Sequence, residues 1–125
     1  MIPIRLLVRA LAIVAVIHAA CLLTKPFGLL HAILVECEPA ANATVAGPNV
    51  TVKLRFNSRI DVERSRLTLS APDGSTRKLK LEAPPSPDVL LSQVSGLSAG
   101  SYTVVWQVLA VDGHITRGQF SFKVS

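Results

Sequence analysis

The sequence has few cysteines, few charged residues and no short repeat, and each of these features excludes a class of protein. Cysteine occurs twice, at Cys21 and Cys37, which is too few for the disulfide framework of a small secreted scaffold. Charged residues make up 17% of the 125 residues and hydrophobic residues 50%, so the chain is too apolar to be disordered. The length of a single domain and the lack of a short repeat exclude large multidomain enzymes, coiled coils and solenoids.

Motifs for the common enzyme chemistries are also missing. Glycine-rich phosphate-binding patterns are absent, and Pro72-Asp73-Gly74-Ser75 is typical of a hairpin turn. No serine lies in a nucleophile-elbow context, and the acidic residues form no recognisable carboxylate pair. Aromatic residues make up only 5% of the chain and do not alternate with the basic ones, which argues against stacking on nucleobases. We therefore expect neither a hydrolase nor a nucleic-acid-binding protein.

Residues 1–30 have the pattern of an export signal. Arg5 and Arg9 precede an apolar run over residues 10–23, which is broken only by His18 and is followed by Lys25-Pro26. At about 1.5 Å per residue, a helix of this run would cover roughly 21 Å, less than the roughly 30 Å of a hydrocarbon core. We expect a hydrophobic signal helix that directs export, and a membrane-anchored protein if the segment is retained.

The position of signal cleavage is left open by the sequence. Signal cleavage requires small residues before the cut, and Gly28-Leu29-Leu30 before His31 lacks this pattern. Cleavage after Ala19 or Ala32 meets the requirement at least as well. Without residues 1–30 the chain loses three of its thirteen basic residues and none of its eight acidic ones, so its net charge falls from +5 to +2. The charge-based reason to expect an anionic partner then largely disappears.

From residue 31 onward the hydrophobic pattern has a period of two. In Val52-Lys53-Leu54-Arg55-Phe56 an apolar face alternates with a charged one, and similar alternation recurs further along the chain. About seven strands are predicted, near residues 33–37, 52–56, 67–69, 79–81, 89–94, 104–108 and 120–124. Short strands separated by turn signals, without a convincing helix, predict an all-β Greek-key sandwich or small barrel over residues 31–125.

The tripeptide Asp112-Gly113-His114 is the clearest sign of chemistry in the sequence. Asp112 and His114 are two residues apart, so in an extended chain their side chains leave on the same side, and the glycine allows a sharp turn between them. An imidazole beside a carboxylate suits Cu(II), Ni(II) or Zn(II). By itself the tripeptide is more typical of a surface turn followed by a solvated histidine.

Several segments in this order resemble the CopC copper-resistance family. They are His31-Ala32-Ile33-Leu34-Val35 with Pro39-Ala40, Val52-Lys53-Leu54-Arg55-Phe56, Leu97-Ser98-Ala99-Gly100-Ser101-Tyr102-Thr103-Val104-Val105-Trp106, and Asp112-Gly113-His114 with Gly118 and residues 120–124. The similarity covers nearly all of residues 31–125. It implies an immunoglobulin-like or cupredoxin-like β-sandwich in the periplasm that binds copper and is not an enzyme.

The resemblance also implies the ligands of one Cu(II) ion per chain. Carried onto this sequence, they are Asp112, His114 and His31 as the first residue of the mature protein. A terminal histidine offers its α-amino and ring nitrogens, and His114 and Asp112 complete the set of nitrogen and oxygen donors that Cu(II) favours. The amine, with an ordinary pKa of about 7.7–8.0, must lose its proton to bind, so affinity should fall with acid. If Leu30 stays attached, the amine becomes an amide and the chelate is lost.

The chain departs from the family pattern in two places. Some members have a glutamate in a Phe-Ser-Glu segment near the metal, whereas this chain reads Phe56-Asn57-Ser58-Arg59. A second type of family site binds Cu(I) through a methionine-rich loop, but Met1 is the only methionine here, so we expect no separate Cu(I) site. Cys37 is the one soft donor after residue 30; alternation places it on a face with Ile33 and Val35, so we expect it in the core.

The function that the resemblance implies is copper buffering, resistance, or delivery by a monomer to a multi-pass membrane copper importer of the CopD type. Two other functions stay open. A copper oxygenase with a histidine-brace site would need exposed aromatic residues to hold its substrate, whereas Tyr102 and Trp106 lie in a core-like strand. A metal-free immunoglobulin-like interaction domain would be favoured if His31 and His114 lay far apart.

Overall fold

The computed structural model describes residues 32–125, where every regular element is a β-strand. Eight strands follow one another: β1 (Leu34–Glu38), β2 (Thr44–Val45), β3 (Val50–Phe56), β4 (Ile60–Ser70), β5 (Thr76–Lys78), β6 (Val89–Val94), β7 (Gly100–Ala110) and β8 (Ile115–Val124). Within this range no helix is long and apolar enough to cross a membrane. His31 and the signal helix expected in residues 1–30 lie outside the described residues.

The strands form two sheets. The smaller sheet has the order β1-β3-β6 and is antiparallel. The larger sheet has the order β2-β8-β7-β4-β5, in which the short β2 runs parallel to β8 and the other neighbours are antiparallel. The chain passes from the larger sheet to the smaller one between β5 and β6, and returns between β6 and β7. The predicted all-β sandwich is confirmed.

Apolar residues from both sheets meet in a single core. In β3, Val52, Leu54 and Phe56 are buried and alternate with half-buried residues, as the period of two predicts. The rings of Phe56 in the smaller sheet and Trp106 in the larger one pack edge to face, with centroids 5.3 Å apart and planes at 70°. Because complete burial of one large apolar side chain contributes about 1.5–3 kcal/mol, this alternation is what holds the two sheets together.

Strand β1 departs from simple alternation. Its pairing register slips by one residue between Leu34 and Glu36, so a β-bulge lies at Val35. The bulge turns Leu34 and Cys37 toward the core, whereas Ile33 and Val35 are 50% and 52% exposed. The prediction that Cys37 shares a buried face with Ile33 and Val35 is wrong, because the extra residue reverses the alternation.

Leu79 and Leu81 alternate with lysines as predicted, but they do not form a strand. Leu79 is buried, and its N–H donates to the carbonyl of Leu67 in β4 at 2.9 Å. Three residues later, Glu82 donates to the carbonyl of Leu91 in β6 at 2.8 Å. The segment crosses from one sheet to the other, so no ladder of paired residues forms along it. Two short strands, β2 and β5, were not among the predicted ones.

Trp106 packs directly on the backbone of β8. It is the partner of Gly118 in the β7–β8 ladder, and a Cβ at position 118 would lie 2.4 Å from Cζ2 of the indole. Glycine at this position therefore makes room for the largest side chain of the core.

We expect Gly118→Ala to destabilise the fold by about 1–3 kcal/mol, because the indole must move to relieve the overpacked contact. Urea unfolding followed by the fluorescence of Trp106, the single tryptophan of the chain, measures the loss. Gln119→Ala, at the exposed neighbouring position, is the control. Equal stability of Gly118→Ala and the wild-type protein would contradict the expectation.

Candidate metal centre

Asp112 and His114 lie in the connection between β7 and β8, residues 111–114, which we call the metal-centre turn. Its closure is fixed by two backbone hydrogen bonds: Ala110 N–H donates to the His114 carbonyl at 2.9 Å, and Gly113 N–H donates to the Ala110 carbonyl at 3.0 Å. Gly113 has a φ of 88°. Glycine adopts this left-handed conformation without steric cost, which is why the sequence Asp-Gly-His closes a tight hairpin.

The side chains of Asp112 and His114 are in direct contact. The backbone N–H of His114 donates to Oδ1 of Asp112 at 3.0 Å, and Nδ1 of the imidazole lies 2.9 Å from Oδ2 of the same carboxylate. The imidazole side chain is 62% exposed and the carboxylate side chain 26%. The structure thus brings together two of the three predicted ligands, with the ring accessible from solvent.

The same backbone arrangement occurs at a second turn, between β4 and β5. Oδ1 of Asp73 accepts the backbone N–H of Ser75 at 2.9 Å and its hydroxyl at 2.6 Å, and Gly74 has a φ of 85°. These hydrogen bonds from Ser75 hold the pKa of Asp73 below its ordinary value. An Asp-Gly-X turn is therefore an ordinary way to close a hairpin, and the imidazole distinguishes the metal-centre turn from it.

The two side chains offer a nitrogen and an oxygen donor side by side, which are the donor types that Cu(II), Ni(II) and Zn(II) take. Their separation of 2.9 Å is that of a hydrogen bond between the ring nitrogen and the carboxylate. An ion bound by both atoms would take the place of this hydrogen bond.

The two side chains do not make a complete metal site by themselves. Within residues 32–125, no group of three or more His, Cys, Asp or Glu side chains is arranged to hold a metal ion. Any further His, Cys, Asp or Glu ligand beside Asp112 and His114 would come from outside this range. His31, the third predicted ligand, lies outside the described residues.

The first described residues lie at the end of the sandwich that carries the metal-centre turn. Ala32 is completely buried in the core. Ile33 N–H donates to Oδ1 of Asn57 at 2.8 Å, and Asn57 N–H donates to the Ile33 carbonyl at 3.0 Å. Asn57 begins the connection to β4, and the first residue of that strand, Ile60, pairs with Ala110 beside the metal-centre turn.

Asn57 lies in this region, and reasoning from the sequence gave it no role. Residues 56–59 stood out only because they lack the carboxylate that some family members have there. The contact with Ile33 joins residues 24 positions apart, and no local pattern indicates which connection faces the start of β1. The side chain of Arg59 is exposed, so this connection carries a cation in the segment where some family members have a glutamate.

Cys37 is half-buried and packs against the core. Burial raises the pKa of its thiol, and the neighbouring carboxylate of Glu36 adds to the rise. In the part of the chain that the structure describes, Cys37 belongs to no metal-binding group. Its contacts are those of a small core residue, although its neighbours differ from the predicted ones.

Comparison with known proteins identifies several relatives. A family model described as the CopC domain matches residues 34–125. Copper resistance protein C of Xanthomonas campestris pv. juglandis is 31% identical over 124 residues, which cover 93% of this chain and 96% of that protein. The crystal structure of CopC from Methylosinus trichosporium OB3b matches with a TM-score of 0.68 and 31% identity, over 76% of this chain and 94% of that one. The crystal structure of PcoC, a methionine-rich copper resistance protein from Escherichia coli, matches with a TM-score of 0.63 and 26% identity, over 76% and 99% of the two chains.

We expect Gly113→Ala to destabilise the protein by about 1–2 kcal/mol, because alanine is strained at a φ of 88°. Space is not the reason, since no atom of the described residues lies within 4 Å of a Cβ at this position. Gly113→Asn is the matched control and should lose less, because asparagine tolerates the left-handed region better. Urea unfolding compares the two variants, and an equal loss in both would contradict backbone strain as the cause.

Proposed function

The chain belongs to the CopC domain family, and from this premise we propose that it binds one Cu(II) ion in the periplasm. It holds the ion to buffer copper, to confer resistance, or to deliver it to a membrane copper importer of the CopD type. The observation that carries the proposal is the 2.9 Å contact between Nδ1 of His114 and Oδ2 of Asp112 in an exposed turn. This contact supports a site in which the imidazole of His114 and the carboxylate of Asp112 bind the same ion.

His31 is the third ligand in this proposal. After cleavage before His31, its α-amino and ring nitrogens would join the donors of Asp112 and His114 to give three nitrogens and one oxygen. The position of Ala32 supports this ligand set, since it is buried at the end of the sandwich that carries the metal-centre turn. Retention of Leu30 would remove the amine donor.

Residues 1–30 act in this proposal as the export signal, and residues 31–125 as the copper-binding domain. The basic start and the apolar run of the first segment support export. If the segment is retained, the same domain is anchored at the membrane. In either form the ligands lie in the periplasm, and copper buffering or delivery to an importer takes place there.

The proposed site takes Cu(II) and is not accompanied by a site for Cu(I). Soft Cu(I) is bound well by thioether sulfur, and the matching PcoC protein is described as methionine-rich. This chain has one methionine, Met1. The donors proposed here are nitrogen and oxygen, which suit the oxidised ion.

A binding protein is favoured over a copper oxygenase by the placement of the aromatic side chains. An oxygenase acting on polysaccharide needs exposed aromatic residues on which the substrate can lie. Among the described residues all aromatic side chains are buried, namely Phe56, Tyr102, Trp106, Phe120 and Phe122. We therefore propose a non-enzymatic role as a monomeric copper carrier.

Intact-protein mass spectrometry of the periplasmic fraction, with and without added Cu(II), tests the ligand set and the cleavage site together. We expect a monomer that begins at His31 and gains the mass of one copper ion. A chain that begins at Ile33 would exclude His31 as a ligand. A chain that begins at His31 and takes up no copper would refute the proposed function.

Substitution of the turn residues tests the site directly. We expect His114→Ala to lower the Cu(II) affinity by about 100-fold or more, since it removes a ligand, and Asp112→Ala to lower it by at least tenfold. A competition titration against a chelator of known affinity measures both effects. Asp73→Ala removes the carboxylate of the equivalent Asp-Gly-Ser turn and should leave the affinity unchanged. Equal losses in all three variants would indicate that the turns matter only for folding.

A further inference from the structure

We propose that the outer face of the larger sheet is a docking surface for a lipid bilayer that contains anionic phospholipid. We call this surface the basic face, and it consists of the side chains of residues 66–70 of β4 and of β5, β7 and β8 that point away from the core. Docking on a bilayer requires no metal ion, so the inference goes beyond the proposed function.

Strand alternation determines which side chains lie on the basic face. The buried residues of β7, β8 and the second half of β4 alternate with half-buried or exposed ones, which point away from the core. Lys78 of β5 is exposed and pairs with Thr68, which lies between the buried Leu67 and Leu69. The exposed cations of the basic face are Arg66, Lys78, Arg117 and Lys123.

Positive charge is concentrated on this face. Residues 66–70 and the whole of β5, β7 and β8 contain no aspartate or glutamate. Residues 31–125 hold ten basic and eight acidic residues, so without the four cations of this face the remainder has six and eight, a net charge of −2. The total charge of the domain gives little reason to expect an anionic partner, whereas its distribution over the surface does.

The acidic residues nearest the basic face do not neutralise it. Asp61 pairs with Leu109 at the edge of the face, and Glu63 is exposed in the irregular part of β4. Oδ1 of Asp61 accepts the backbone N–H of Arg64 at 3.2 Å, and its Oδ2 lies 3.8 Å from Nη1 of the same arginine. Among residues 32–125, no carboxylate lies within ion-pair distance of the four cations of the face.

Two of the cations lie in one row across three neighbouring strands. Arg66 pairs with Gln107, which pairs in turn with Arg117. Because neighbouring strands are about 4.8 Å apart, the Cα atoms of the two arginines are separated by about 10 Å. Nε of Arg117 donates to Oε1 of Gln107 at 2.9 Å, which holds its guanidinium over the sheet. Guanidinium groups bind phosphate oxygens strongly, so this row suits the phosphates of a headgroup layer.

Exposed aliphatic side chains lie on both sides of the arginine row. Val105 is 39% exposed in the next outward row on one side, and Ile115 is 51% exposed in the next outward row on the other. An acidic protein would pair with the cations and leave these two side chains without a suitable environment. A bilayer offers anionic headgroups above apolar chains, so it matches both kinds of side chain.

The outer face of the smaller sheet has no such excess of positive charge. Its cations Lys53 and Arg55 pair in the β1–β3 ladder with Glu38 and Glu36. Nη2 of Arg55 lies 3.0 Å from Oε2 of Glu36. This opposite face therefore provides a matched control for charge.

Docking through the basic face would bring the metal-centre turn close to the bilayer. Ile115 follows His114 directly in the chain and lies at the end of the face nearest the turn. Copper bound there would lie close to a membrane importer. This use of the surface rests on the proposed function, whereas binding to the bilayer does not.

Co-sedimentation with vesicles tests the proposal. Residues 31–125 are used, since they form a compact unit with a core of its own and the apolar run of the first segment then makes no contribution. We expect binding to vesicles of phosphatidylcholine mixed with phosphatidylglycerol and little binding to phosphatidylcholine alone. Raising the salt concentration from about 0.05 M to 0.5 M should abolish the binding, because salt screens the exposed charges.

Charge substitutions locate the surface. Arg66→Gln combined with Arg117→Gln should lower the affinity for the mixed vesicles by about 10- to 30-fold, and Lys78→Gln combined with Lys123→Gln by a similar factor. The control, Lys53→Gln combined with Arg55→Gln, removes the same charge from the opposite face and should lower it by less than about threefold. Urea unfolding checks that all three double variants are folded.

Val105→Thr separates a bilayer from an acidic protein as the partner. The substitution keeps the shape and charge of the face but replaces an exposed methyl group with a hydroxyl. It should weaken vesicle binding by about three- to fivefold and leave binding to poly-glutamate, a soluble acidic polymer, unchanged.

Three outcomes would overturn the inference: no preference for vesicles that contain phosphatidylglycerol, equal losses in the double variants of the two faces, or binding to poly-glutamate without binding to vesicles. The proposed function fails independently of these results. A protein that binds the mixed vesicles through the basic face and takes up no Cu(II) would refute the metal centre and leave the docking surface in place.

Discussion

The antiparallel ladder between β7 and β8 is the constraint on which the rest of the structure depends. Its pairs run from Gly100 and Val124 to Leu109 and Ile115 without a shift in register. A slip of one residue would turn alternate side chains from the core to solvent, and Trp106 would lose the glycine against which it packs. Because the same ladder ends in the metal-centre turn, the packing of the core and the geometry of the site are set by one register.

The metal-centre turn is closed by a backbone arrangement that also occurs elsewhere in this fold. Two Asp-Gly-X turns in this fold have nearly the same glycine conformation and the same carboxylate-to-backbone hydrogen bond, yet one ends in Ser75 and the other in His114. What separates them is an imidazole at the end of the sandwich where the domain begins. The ring is also exposed, so it is accessible from solvent.

The smaller sheet reaches the same end of the sandwich through its edge strand. The bulge in β1 leaves Ile33 outside the regular ladder, and the side chain of Asn57 accepts its N–H where backbone pairing ends. The connection that carries Asn57 leads into β4, whose first residue, Ile60, pairs with Ala110 beside the metal-centre turn. Strand pairing thus holds the start of β1 and the turn at one end of the fold.

The sequence by itself determined the class of fold, the core of its central strands and the meeting of Asp112 with His114. These are local properties, since alternation with a period of two and a spacing of two residues around a glycine operate within a few positions of the chain. The bulge at Val35 and the crossing at Leu79 escaped prediction because each depends on which sheet the segment pairs with. The pair of hydrogen bonds between Asn57 and Ile33 was decided only by the tertiary structure. It requires two segments 24 residues apart to be brought together by strand pairing, and no side-chain pattern along the chain encodes that distance.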